Sequence, residues 1–168
     1  LEVQFPKVFI EEINQYIDDV VIPNNKDYSN KLVGQLSADK SAQLDFPLKG
    51  YETGEQFKKV LENIGKSFIQ KPYNRMSSVE CFECWTVHSY EGDYNPLHDH
   101  GVQTQSGLSC ILYLKVPDSI KNKPKIEVPN LNHASGEIDG WTQFQWGANT
   151  MKDIYQLREQ TQHVVRPV

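Results

Sequence analysis

From Ser77 onward the apolar residues of this chain lose helical spacing, and that switch limits the available folds more than any other feature. Before it, "FPKVFIEEINQYIDDVVIP" sets Phe9, Ile13, Tyr16, Ile17 and Val20 at helical spacing behind Pro6, as a helix opened by proline in its first turn requires. Pro23 and the polar "NNKDYSN" end it. A second helix carries Phe57, Val60, Leu61, Ile64 and Phe68 on one face, with Thr53 and Gln56 at capping-box spacing and Pro72 as its expected stop. After the switch come "SSVECFECWTVHSY", "GLSCILYLKVP", "PKIEVP" and "GWTQFQWG". These short runs are rich in β-branched and aromatic residues and are separated by Gly, Pro and Asn, the pattern of strands and turns. The tail "TMKDIYQLREQTQHVV" suits either a helix or an irregular connection. Helices first and then strands without intervening helices favour an α+β fold over a wound parallel sheet. The expected architecture is an antiparallel β-sandwich or barrel with the N-terminal helices packed outside it.

A chain of 168 residues is the size of one domain with a real core, so residues 1–168 are expected to form a single domain. Both ends read as cut, since the chain starts at Leu1 and stops at "HVVRPV". A domain truncated at its C-terminal end is therefore one expectation. With 17 basic against 22 acidic residues the net charge is −5, which argues against a general nucleic-acid surface and leaves a local basic groove open. No apolar run approaches membrane-spanning length and no signal-peptide pattern opens the chain, so no membrane partner is expected. Cys81, Cys84 and Cys110 are odd in number and lie in apolar stretches, which points to reduced thiols and a cytoplasmic setting. Oligomeric state is not legible.

Within "YNPLHDHGVQTQSGLSCILYLKVPD", His98 and His100 stand one residue apart just before an apolar run. On an extended chain residues two apart face the same way, so both imidazoles aim into one space and Asp99 aims away. Two converging imidazoles suit a metal ion. The plain alternative is a pair of surface turn residues near Gly101. A structural zinc site drawing on Cys81, Cys84, His98 and His100 has suitable ligands. However, "CFEC" lies in a strand-like run, where residues three apart face opposite ways. "GDYNPLHDH" has the glycine, five residues, His-x-His opening of the cupins, but Thr104 and Gln105 stand where their glutamate should follow. The third option is non-haem iron, held on one face by two histidines and usually a carboxylate.

The stretch from Trp85 to Trp146 resembles the Fe(II)/2-oxoglutarate-dependent oxygenases. It is most similar to phage and bacterial members with His-x-His and an "LSxxLYL" run, and to the prolyl-hydroxylase-like branch. In that branch a metal pair precedes a strand of the form Thr-Cys-Ile-Tyr-Tyr-Leu; here Ser109, Cys110, Ile111, Leu112, Tyr113 and Leu114 follow in order. The resemblance implies a double-stranded β-helix, or jelly roll, of antiparallel strands. It implies Fe(II) bound by His98, with His100 where the carboxylate usually stands, which leaves the site one negative charge short. Tyr113 matches the tyrosine that holds the distal carboxylate of 2-oxoglutarate, and Ser109 shares its strand face. His163 in "HVVRPV" matches the distal histidine, and Arg166 the basic residue that pairs with the co-substrate. The competing reading makes "VVRPV" the lead-in to a strand whose histidine and arginine lie beyond Val168.

Three functions follow as expectations. The first is a 2-oxoglutarate-dependent dioxygenase acting as a hydroxylase. The second is a non-catalytic β-sandwich module with an incomplete metal site, and the third is a cupin-like metalloenzyme. The substrate is not readable and stays open among protein, nucleic acid and small metabolite. His88 and His133 are expected in structural and loop roles, and Trp141, Phe144 and Trp146 in either a substrate wall or the core.

Overall fold

A computed structural model of the chain describes residues 3–29, 43–74, 78–96, 98, 107–122, 140–145 and 162–167. The chain mixes helix with short antiparallel strands and falls into two compact units, Leu1–Cys110 and Ile111–Val168.

The first unit opens with α1 (Lys7–Tyr16), which runs on as a π-helical turn (Ile17–Val21) and a last short turn α2 (Ile22–Asn24). Pro6 caps the helix instead of entering it, its extended backbone directing the chain into the first turn. Asn25 ends it in the left-handed conformation that asparagine tolerates. The apolar stripe is buried at Ile13, Tyr16 and Ile17, as the spacing predicts. Past Ile17 the wider π turn brings Val21 inward, so Val21 is fully buried while Val20 is only half-buried.

Strand β1 (Gln43–Asp45) pairs antiparallel with β2 (Trp85–Val87), setting Leu44 opposite Thr86. The other edge of β1 is held by residues 26–28, through Tyr28 N–H to the Gln43 carbonyl and Asp45 N–H to the Lys26 carbonyl. Leu44, Phe46 and Leu48 complete the core with Phe57 of α3 (Glu52–Tyr73). Each such buried side chain contributes about 1.5–3 kcal/mol. Phe46 packs edge-on to Tyr16 and tilted against Phe57, at ring separations of 5.0 and 5.3 Å. The start of α3 lies against the backbone after β1: a Cβ at Gly54 would sit 2.1 Å from the Pro47 carbonyl oxygen. Only glycine allows that approach.

Two expectations about α3 are corrected. Tyr51, not Thr53, is the N-cap, and no side chain caps the helix there. Gln56 instead donates to Glu52 at 3.0 Å, while Glu55 accepts the Gly50 N–H. Two acidic residues in the first turn suit the positive end of the helix. Pro72 does not stop the helix, which runs to Tyr73 and ends at left-handed Asn74.

The second unit contains a short α4 (Asp118–Lys121) and a two-stranded antiparallel sheet, β3 (Thr142–Gln145) with β4 (Gln162–Val165). The strand expected in "GWTQFQWG" is β3. The tail, left between helix and irregular chain, ends in β4. Of the long run "SSVECFECWTVHSY", only Trp85–Val87 is strand among the described residues. "GLSCILYLKVP" is not a strand: residues 107–117 carry no ladder pairing, residues 107–111 are exposed, and 112–114 are half-buried. An apolar run marks a segment that gains from burial, whereas a ladder also needs a partner edge. "PKIEVP" lies outside the described residues. The described strands form two separate two-stranded sheets and no closed barrel.

Candidate functional site

His98 follows the turn at residues 90–93 and is exposed. Its Nδ1 lies 2.8 Å from the Pro96 carbonyl oxygen. A carbonyl can only accept, so Nδ1 is the donor in this contact. An imidazole held in this way through its far nitrogen has the orientation and tautomer common among metal-bound histidines. Asp99 and His100 lie outside the described residues, as do His133 and Trp146. Among the described residues no group of three or more His, Cys, Asp or Glu side chains is arranged to hold a metal.

The cysteines of the zinc alternative are unbridged. Burial foremost pushes the Cys81 and Cys84 thiols up, Cys84 to about 12, with the neighbouring Cys81 and Cys110 adding to the effect at Cys84. Cys81 is tied by its backbone N–H to Glu62, and Glu62 in turn pairs with Lys58 at 3.5 Å. These contacts suit packed thiols. His88 lies 3.0 Å from the Thr86 hydroxyl, in keeping with its expected structural part.

The other candidates belong to the 109–114 segment and the second unit. Ser109 is exposed in the first unit. Tyr113 is half-buried in the second, and its hydroxyl donates to the Thr142 hydroxyl on β3. Burial pushes its phenol up, against the smaller opposing effect of that hydrogen bond. On the β3–β4 ladder Thr142 faces Val165 and Phe144 faces His163. Alternation therefore puts Thr142, Phe144, His163 and Val165 on one face of this sheet. His163 thus shares a face with the partner of Tyr113, and it is exposed there.

Arg166 follows directly after β4. One of its terminal nitrogens donates to the Lys121 carbonyl, and its guanidinium carbon lies 5.6 Å from the centre of the Trp141 ring. Continued one step past Thr142 and Val165, the ladder register sets Trp141 against Arg166. The Nε of Arg166 and the Nε1 of Trp141 are both buried without a hydrogen-bond partner. Sequence reasoning left Trp141 between core and substrate wall and missed Thr142. A tryptophan beside a strand gives no sign of where its N–H ends up.

No protein-family model, no curated protein and no solved structure matches this chain. No helix among the described residues is long and apolar enough to cross a membrane.

Proposed function

We propose that this chain carries the metal and co-substrate site of an Fe(II)- and 2-oxoglutarate-dependent oxygenase, a hydroxylase built on a double-stranded β-helix. The observation that carries the reading is His98, whose Nδ1 lies 2.8 Å from the Pro96 carbonyl oxygen, the kind of backbone contact that orients metal-bound imidazoles. His98 would be the first iron ligand, with His100 and His163 as the others. When bound, Fe(II) with 2-oxoglutarate and O₂ supplies the oxidising power for C–H hydroxylation, with succinate and CO₂ as co-products. The chain's own residues bind and orient. Arg166 fits a carboxylate because its buried Nε lacks an acceptor, and its cation supplies the matching charge. Tyr113 lines the distal carboxylate, with Thr142 fixing its hydroxyl, and Ser109 borders the same segment. The substrate is a protein side chain, a nucleic acid or a metabolite, and the cytoplasm suits the free thiols.

The test is metal retention by the full chain. Loaded anaerobically with Fe(II), the parent should keep metal through desalting and, once O₂ is admitted, form succinate and CO₂ from 2-oxoglutarate. His98→Ala should lose the metal with unchanged circular dichroism, and His100→Asp, which restores the usual carboxylate, should strengthen Fe(II) binding. A His98→Ala protein that holds iron as well as the parent would sink the assignment. A parent that binds no metal would favour the non-catalytic module.

A further inference from the structure

Two N–H donors in the second unit are buried with nothing to receive their protons: Nε1 of Trp141 and Nε of Arg166. A buried donor left unpaired costs about 1–3 kcal/mol, and such groups are few in folded proteins. Here both belong to one neighbouring pair, with the guanidinium set over the indole at 5.6 Å. Stacking of cation on ring accounts for the faces of the two groups, not for their N–H bonds, which lie in the ring planes. The pair therefore describes a missing acceptor. That acceptor should be anionic, because no described carboxylate is paired with Arg166, whose terminal nitrogen is bonded to the neutral Lys121 carbonyl. It should also offer two oxygens, one for each donor. A carboxylate meets both conditions.

We infer that Trp141 is a ligand-binding residue, its indole N–H donating to a carboxylate group of a small ligand that Arg166 Nε also holds. This rests on the placing of Arg166 at the co-substrate end of the proposed site and adds a donor that the family resemblance does not assign. An indole N–H cannot follow a proton or change its charge, so its part is to fix the orientation of the bound carboxylate.

The experiment uses the full chain labelled with ¹⁵N, titrated with 2-oxoglutarate, with succinate and with the uncharged dimethyl ester of succinate. Indole N–H signals of Trp85, Trp141 and Trp146 are followed by NMR, that of Trp141 being assigned from the Trp141→Phe variant. That variant keeps an aromatic face under the guanidinium, removes the N–H donor and leaves a smaller ring. The two acids should shift the Trp141 signal downfield and leave that of Trp85 in place, and the ester should do neither. Trp141→Phe should weaken binding of the acids about tenfold or more, and Arg166→Gln at least as much. A Trp141 signal that stays still at saturation overturns the inference, as does a Trp141→Phe protein that binds the acids as tightly as the parent. Either result leaves the oxygenase reading standing if iron retention still depends on His98. Succinate that moves the Trp141 signal in a protein unable to hold iron upholds the inference and removes the oxygenase reading. No binding of either acid overturns the inference whatever the metal does.

Discussion

The two units treat their buried polar groups in opposite ways. In the first, buried Gln43 donates to the Tyr28 carbonyl and buried Thr86 to the Leu44 carbonyl. Ile13, Tyr16, Ile17, Val21, Leu44, Phe46, Leu48 and Phe57 are packed around them. In the second, the fully buried residue among those described is Pro167, and the buried N–H groups of Trp141 and Arg166 have no partner. A region with satisfied polar groups and a packed core is built to be stable. Among its described residues the second unit instead holds two buried donors, for which the proposed carboxylate ligand would supply the acceptor.

The largest effect separating the two units should come from truncating the cores. Ile13 is 1% exposed, and Ile13→Ala should cost about 2–5 kcal/mol in urea unfolding. Phe144 on β3 is 44% exposed, and Phe144→Ala should change stability by about 0.5 kcal/mol or less. Equal losses would end the contrast. Next come the two tyrosines whose hydroxyls each donate one hydrogen bond. Tyr113→Phe should weaken 2-oxoglutarate binding by about 1.5–3 kcal/mol in calorimetric titration, with little change in melting temperature. Tyr16→Phe leaves the Pro47 carbonyl without its 2.9 Å donor and should lower stability by about 1 kcal/mol, with co-substrate affinity untouched. If the two variants exchanged effects, the division of labour would be wrong.

The remaining effect is in pH and is confined to alkaline solution. Burial, with smaller additions from Tyr51, Asp45 and Cys84, pushes the Tyr16 phenol from 10.0 up to about 12. Burial likewise pushes the Cys84 thiol from 9.0 to about 12. Both groups prefer to stay protonated in the folded chain, so the folded state binds more protons than the unfolded one above these starting values. Their stabilisation is whole below pH 9 and is lost as pH climbs through 12. Melting temperature should fall across that window, and Tyr16→Phe should make the fall shallower. A flat profile would remove Tyr16 and Cys84 from the buried core.

The helices were legible because a helix repeats its demand every turn: the stripe from Phe9 to Ile17 and the face from Phe57 to Phe68 announce themselves. Their ends were less so. Thr53 and Gln56 have the right spacing for a capping box, but Gly54 must meet the Pro47 backbone, and that docking starts the helix at Tyr51–Glu52. In "GLSCILYLKVP" apolar content suggested a buried strand, yet pairing depends on an edge supplied by residues far away in sequence. The site divides in the same manner. Tyr113 and Arg166 could be singled out by their place in a pattern. The unpaired indole of Trp141 depends on packing around it, and no spacing rule encodes a missing partner.

The π turn at Ile17–Val21 has a consequence for how this chain tolerates change in length. Its wide turn keeps Ile17 and Val21 inward while Asp18 and Asp19 remain exposed. Removing either aspartate would leave the two inward residues three apart, a spacing that an ordinary α turn also places on one face. The helix can therefore lose a residue on its wet side and keep both buried flanks in register. Relatives of this chain should differ by one residue here more readily than anywhere else along the first helix, since an insertion and its deletion lead to the same inner surface.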